Sequence, residues 1–193
     1  MTSSLQTRAT PDLEAPLDAP IDTPIDTPID EERQDLLETL GKHRFFLKLT
    51  ARGLTDEQAN TRSTVSALTV GGIIKHVTAA ERNWADFIVN GPAATTYDAD
   101  WNAEDWEAGF RLLPGETLED VVAAYDEVAR RTDELVRTVD LDASHPLPVA
   151  PWFEPGKRWT ARRALLHIVA ETAQHAGHAD IIRETIDGQK SMG

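Results

Sequence analysis

The sequence predicts an all-α protein, a four-helix bundle with long loops, and three observations support this fold class. Four segments place apolar residues at the three- and four-residue spacing of a helix with one buried face. Threonine, glycine and proline stand at the ends of these segments, where helices begin or stop. No segment alternates apolar and polar residues as a half-buried strand does, so we expect no sheet in the body. In the simplest arrangement the four helices alternate in direction.

The first two helices are predicted over residues 31–52 and 69–90. Gly53 ends the first helix, and Thr69 caps the second, which a Gly-Pro pair ends. A short helical turn capped by Thr55 is expected between them. The apolar faces are Leu36, Leu40, His43 and Leu47 in the first helix, and Ile73, Val77, Ala80, Trp84 and Phe87 in the second.

The third and fourth helices are predicted to begin after Thr117 and Thr160, which both suit the N-cap position. The inner face of the third helix is expected to contain Val121, Tyr125, Val128, Thr132, Leu135 and Val139. The fourth helix continues through Ile186, and Gly188 stops it. Apolar residues surround much of the fourth helix, which predicts that it packs against several neighbours.

Two loops are long and rich in tryptophan. The connection over residues 93–116 contains Trp101 and Trp106, and we expect it to form a lid or a flank over a pocket. The loop before the fourth helix contains Trp152 and Trp159, and four prolines stiffen it. These tryptophans either wall a pocket for a small electrophile or only close the bundle, and the sequence leaves both readings open.

An acidic tail precedes the bundle. Residues 1–28 contain a near-repeat of Pro, Ile, Asp and Thr in which proline forbids helix and the aspartates repel one another. We therefore divide the chain into a disordered Pro/Asp-rich tail, residues 1–28, and one helical domain, residues 29–193. The helical domain is long enough for one core and too short for two.

Composition narrows the function. The net charge of −14 would repel nucleic acid and an anionic membrane, so neither is an expected partner. The start of the chain lacks the pattern of a secretory signal, which predicts a cytoplasmic protein. We expect a monomer or a homodimer. Cysteine is absent, so there is no thiolate ligand or cysteine nucleophile, and any metal must be bound by nitrogen and oxygen atoms.

The predicted fourth helix carries a stripe of metal-ligand side chains. His167, Glu171, His175 and His178 fall within about 80° of one another at roughly 100° per residue. Ala164 lies on the same stripe, which therefore faces the interior, where ionisable groups need a partner or a metal. His167 and His175 lie about 12 Å apart along the axis, too far to bind one ion.

Only neighbours one turn apart can share a metal, and three pairs qualify: His167 with Glu171, Glu171 with His175, and His175 with His178. His76, at the edge of the apolar face of the second helix, would supply a third ligand from another helix. Such a site keeps open positions for water or substrate. The alternative is that these side chains only form hydrogen bonds with one another in the core. We expect His43 and His145 to have solvent or structural roles.

The segments GGIIKHVTAAERNW and ALLHIVAETAQHAGHADIIRE resemble the two metal-ligand segments of the DinB/YfiT-like superfamily. The GLTDEQA stretch at residues 53–59 and the residues around KHRFF are similar to its actinobacterial branch. The resemblance covers about residues 31–188. It implies a four-helix bundle of the DinB/YfiT-like type that binds one divalent metal through His76, Glu171 and His175. Many members have histidine in place of Glu171, and the His-Glu-His set is similar to that of the mycothiol-dependent maleylpyruvate isomerases.

The resemblance implies metal-dependent S-transfer or isomerisation with a low-molecular-weight thiol such as mycothiol, acting on a small electrophile. It also implies that His178 lines the pocket and that His167 orients Glu171 rather than binding metal. A hydrolase of small amides or esters and a non-catalytic metal-binding stress-response protein remain as alternatives. Zinc, nickel, manganese and iron all accept these donors, so the sequence does not select among them.

Overall fold

The computed structural model describes residues 29–94 and 108–191. The tail over residues 1–28, together with Trp101 and Trp106, lies outside these ranges. The helices are α1 Glu31–Ala51, α2 Asp56–Ala59, α3 Val70–Asn90, α4 Leu118–Thr138 and α5 Ala161–Asp187. A 3-10 turn, Gly91–Ala94, follows α3, and two short strands, β1 Ser144–Pro146 and β2 Arg158–Thr160, precede α5. The prediction of a mostly helical four-helix bundle is confirmed, with α1, α3, α4 and α5 as its members.

Threonine caps set the start of the last three long helices, as predicted. The hydroxyl oxygens of Thr69, Thr117 and Thr160 each accept a hydrogen bond from a backbone N–H three residues later, at 3.1 Å in every case. Thr55 caps the short α2 in the same way and completes a capping box with Gln58. Each cap satisfies a backbone donor that the helix itself cannot pair.

The expected alternation of helix direction is wrong. α1 and α5 run parallel, because Arg162 at the start of α5 pairs with Glu32 at the start of α1, while Arg183 near the end of α5 donates to the Thr50 carbonyl at the end of α1. α3 and α4 are also parallel, since the Arg131 side chain pairs with Asp86 at 2.5 Å near the end of both helices.

The connection between α3 and α4 explains this topology. A helix the length of α3 spans about 32 Å, and an extended chain advances about 3.3 Å per residue. The connection over residues 91–117 is therefore long enough to return the chain to the end of the bundle where α3 began. The shorter links on either side reverse direction in the ordinary way.

The expectation of no sheet is wrong at one place. β1 and β2 pair antiparallel, with Ser144 opposite Thr160 and His145 opposite Trp159. Strands of three residues are too short to show an alternating pattern in sequence, and Pro146 restricts His145 to extended backbone. The pairing places Trp159 at the start of α5, against the indole of Trp84 with ring centroids 4.7 Å apart.

The core has two apolar clusters along the bundle. One contains Leu47, Ile73, Ile74, Tyr125 and Ile182, and the other contains Leu40, Trp84, Phe87, Val136 and Ile168. Arg44, Glu81 and Thr172 are buried polar residues that fall between members of the two clusters along α1, α3 and α5. This polar layer crosses the bundle near the level of Glu171. Near the end of α4, Val136 is buried in place of the expected Leu135, which is only half-buried.

In the part of the chain that the structure describes, no helix combines the length and the apolar character needed to cross a membrane.

Candidate metal centre

Two antiparallel helices bring three ligand-type side chains together. His76 projects from α3, while Glu171 and His175 lie one turn apart on α5. One donor atom from each of the three residues falls within a group whose members are all within 4.8 Å of one another. These are the three residues that the resemblance implied as ligands.

The donor set suits a divalent ion. His175 Nε2 lies 3.5 Å from Glu171 Oε2, and the rings of His76 and His175 are 4.9 Å apart between centroids. Donors at ~2.1 Å from one tetrahedral ion would lie about 3.4 Å apart, so small side-chain rotations are enough for all three to reach it. Two imidazoles and one carboxylate, with no thiolate, fit zinc, nickel, manganese or iron.

Burial prepares His76 to donate an electron pair. Burial, together with the positive charge that His175 can carry, lowers the pKa of His76 to about 4, although Glu171 partly opposes this shift. Contact with His175 lowers the pKa of the Glu171 carboxyl, which stays ionised at neutral pH. A neutral imidazole and a carboxylate can both bind a cation without first losing a proton.

The same pKa shift makes the metal-free protein sensitive to acid. Unfolded histidine has a pKa near ~6.5, so between that value and about 4 the unfolded chain binds a proton that folded His76 does not. The contribution of neutral His76 to the free energy of unfolding is complete above pH ~6.5. It is lost as the pH falls toward 4, at no more than ~1.4 kcal/mol per pH unit. We expect urea unfolding in the presence of a chelator to show a shallower pH dependence for His76→Gln than for the natural chain. Equal slopes would contradict the burial of a neutral His76.

The Phe110 ring packs against the His76 ring. The two rings stack with centroids 4.4 Å apart and an interplanar angle of 27°. Gly72 makes this approach possible, because a Cβ at that position would lie 1.8 Å from the Phe110 carbonyl oxygen. The Thr69 hydroxyl also donates to that carbonyl at 3.1 Å. The start of α3 thus fixes the segment that orients His76.

His167 lies beside the cluster and not within it. Its Nε2 is 3.7 Å from Glu171 Oε1, the oxygen that does not face His175. Burial lowers the pKa of His167, Glu171 opposes that shift, and the positive charge of Arg163 adds to it. Its ring stands edge-on to Trp84 and Trp159 at 4.9 Å and 5.1 Å. His167 is therefore placed to orient the Glu171 carboxylate.

His178 lies beyond His175 along α5, at the end of the row away from His167, and its ring centroid is 5.4 Å from that of His175. The Nδ1 atoms of His175 and His178 are buried and have no hydrogen-bond partner among the described residues. Since His175 Nε2 faces Glu171, its Nδ1 is the nitrogen on which an orienting partner, such as a water molecule, would act.

The two remaining histidines lie elsewhere. His145 packs edge-on against Phe87 at 5.8 Å, a structural contact, and His43 is half-buried on α1. Two surface grooves of about 660 and 870 Å³ are lined by residues of other regions, and neither includes a residue of the cluster. The chemistry of the donor set, rather than cavity size, therefore marks the site.

The sequence analysis missed three contributors. Glu81 and Arg44 form a buried ion pair in the polar layer, and Arg163 lies next to His167. Glu81 stood four residues after Val77 and three before Trp84, so its place on the apolar face of α3 was visible in the spacing. No pattern in the sequence indicated the position of Arg163 over Trp159.

A bundle with two imidazoles and one carboxylate converging from its second and last long helices belongs to the DinB/YfiT-like class. Comparison with known proteins assigns the chain more narrowly. The family described as Mycothiol-S-transferase matches residues 35–188, and the chain belongs to that family.

A crystal structure of a conserved protein from Enterococcus faecalis is similar in fold, with a TM-score of 0.60 and 17% sequence identity. The match covers 81% of this chain and 97% of the other. At this identity the likeness concerns the fold alone. No curated protein matches the sequence.

Proposed function

We propose that the protein is a divalent-metal-dependent enzyme that activates mycothiol, or a similar low-molecular-weight thiol, for S-transfer to a small electrophile or for isomerisation of one. The observation that carries this proposal is the convergence of His76, Glu171 and His175 in a chain that has no cysteine. Since the chain supplies no sulfur, the thiol must come from a cosubstrate. Membership of the Mycothiol-S-transferase family supports mycothiol in that role.

The three side chains would hold the metal, with His76 and His175 as neutral ligands and Glu171 as the anionic one. A bound divalent ion supplies Lewis acidity, which lowers the pKa of a thiol or water at an open position. Thiols have an ordinary pKa near ~8.5, so this assistance is needed at neutral pH. In transfer, the thiol proton passes to solvent, the sulfur forms a bond to carbon, and the leaving group departs with the bonding electron pair.

The surrounding residues have supporting tasks. His167, 3.7 Å from Glu171 Oε1, holds the carboxylate so that its second oxygen faces His175. Phe110 and His175 both contact the His76 ring, which limits its rotation. Glu171 is the most exposed of the carboxylate and its two histidine neighbours, with 29% of its side chain exposed against 13% for His175. Of the two proposed ligands on α5, Glu171 is therefore the more accessible to a cosubstrate.

The test is a set of electrophiles offered with and without mycothiol: an alkyl halide, an epoxide and a conjugated enone. We expect consumption of the electrophile only when both metal and mycothiol are present, because without metal the thiol stays largely protonated and without thiol the site holds only water. His76→Ala should remove the activity, and His43→Ala, a histidine outside the cluster, is the matched control.

Two results would decide against this function. Turnover that does not need the thiol would indicate a hydrolase that uses metal-activated water. Tight metal binding with no turnover of any electrophile would indicate a metal-binding protein without catalysis.

A further inference from the structure

A positively charged side chain lies beside the metal centre on the same face of α5. Arg163, His167 and Glu171 follow one another at four-residue intervals, so they form a row along the helix. The charge of Arg163 acts on the His167 imidazole, which in turn lies 3.7 Å from Glu171. Arg163 is therefore one helical turn beyond His167, on the side away from the three ligand residues.

The Trp159 ring holds this guanidinium in place. The Arg163 guanidinium carbon lies 4.1 Å from the centroid of the Trp159 ring, a cation–π contact. Trp84 stacks on the same indole at 4.7 Å with an interplanar angle of 21°. Trp84 is buried, with 5% of its surface exposed, so the stack rests on the core. A guanidinium held by a fixed ring loses little freedom when it binds an anion.

Among the residues that the structure describes, the charge of Arg163 has no carboxylate to balance it. Among residues 29–94 and 108–191 no acidic oxygen lies within ion-pair distance of its side chain, whereas the adjacent Arg162 pairs with both Glu32 and Asp142. The chain as a whole carries a net charge of −14, so an exposed, unbalanced cation beside the site stands out. The positive end of the α5 dipole adds to its field.

We propose that Arg163, held by Trp159 and assisted by His167, is a subsite for the carboxylate of the electrophile. The substrate class is then an electrophile that carries a carboxylate, with its reactive carbon directed toward Glu171. Arg163 and Glu171 lie eight residues apart on α5, about 12 Å along the axis, a gap that the long arginine side chain and the substrate bridge together. This inference rests on the proposed function, and it names the class of substrate that the same site accepts.

A binding experiment tests the subsite without turnover. We expect calorimetry to show that the full-length, metal-loaded protein binds 4-methylbenzoate more tightly than 4-methylbenzamide, which has the same shape and no charge. Arg163→Gln should weaken benzoate binding about tenfold, because a charge-assisted bidentate contact is lost, and Arg163→Lys should retain part of the preference. Arg130→Gln removes an equal charge from α4, where the arginine side chain is 72% exposed, and should change nothing.

The same comparison of a carboxylate with its uncharged amide can be made with substrates that react. The thiolate of mycothiol attacks the CH₂ carbon of 4-(chloromethyl)benzoate, chloride leaves with the bonding electrons, and the thiol proton passes to solvent. We expect the ratio of kcat/KM for this substrate to that for 4-(chloromethyl)benzamide to fall about tenfold in Arg163→Gln. A purely structural role of Arg163 would lower both values together and leave the ratio unchanged.

The outcomes separate the two proposals. Benzoate that binds without preference over the amide, or that binds equally to Arg163→Gln, overturns the subsite; direct coordination of the carboxylate by the metal would give the second of these results. Arg163-dependent binding without any thiol transfer supports the subsite and overturns the proposed function. Thiol transfer with no dependence on Arg163 supports the proposed function and overturns the subsite.

Discussion

Replacement of His175 by alanine is expected to lower metal affinity by more than about 100-fold, because it removes one of three donors and the partner of Glu171. His76→Ala should have an effect of similar size, since it removes the sole donor from α3 among the three. The measurement is elemental analysis of the purified protein together with competition against a chelator of known affinity.

Two neighbouring variants define the limits of this prediction. His178→Ala should weaken binding by no more than about tenfold, because its ring lies 5.4 Å from that of His175 and outside the cluster. Glu171→Gln keeps the size of the side chain and removes its charge, so we expect an intermediate loss. Stoichiometric metal in His175→Ala, with the metal-free variant folded by circular dichroism, would show that the three residues do not form the site.

The local features of the fold could be predicted because each depends on neighbours in sequence. The caps at Thr69, Thr117 and Thr160 need only a hydroxyl and a backbone N–H three residues later, so their chemistry is readable from the chain. The same reasoning applies to Glu171 and His175, which one helical turn brings together. Helical spacing alone is enough to place these two side chains on one face.

Helix direction could not be predicted in the same way, because it depends on where a loop leads. The connection over residues 91–117 is long enough either to reverse the chain beside α3 or to cross the bundle, and spacing within the helices does not distinguish the two paths. The β1–β2 pair was missed for a related reason. Its residues pair across the loop between Pro146 and Arg158, and three residues carry too little pattern to indicate it.

The sequence indicated the three candidate ligands of the site and the neighbouring His167 and His178, but not the contacts that position them. His76 stood out as an imidazole at the edge of an apolar face, and the family resemblance selected Glu171 and His175 from three possible pairs. The stacking of Phe110 on His76 depends on the close contact between Phe110 and Gly72, two segments far apart in the chain. The position of Arg163 likewise depends on the strand that places Trp159. Contacts of this kind arise from tertiary packing, which residue spacing does not contain.

The buried ion pair between α1 and α3 gives the largest expected effect on stability. Arg44 Nη2 lies 2.5 Å from Glu81 Oε1 and its Nη1 lies 2.7 Å from Asp133 Oδ1. The Glu81 side chain is completely buried, while 39% of the Asp133 side chain is exposed. Burial and the charge of Glu81 also raise the pKa of the Tyr125 phenol, which stays neutral beside it. The three helices thus meet around one desolvated carboxylate.

Arg44→Met should therefore lower the free energy of unfolding by about 3–5 kcal/mol, because it leaves the Glu81 carboxylate buried without its partner. Asp133 can turn toward water and contributes less to the loss. The double variant Arg44→Met/Glu81→Met should recover most of the stability, since it removes both charges and keeps similar volume. Lys48→Met is the matched control, because Lys48 also lies on α1 and forms an exposed ion pair with Asp126 of α4. Loss of that pair should cost no more than ~1 kcal/mol. Urea unfolding in the presence of a chelator measures all three. If Arg44→Met costs no more than Lys48→Met, water reaches Glu81 and the polar layer is not sealed from solvent as its burial indicates.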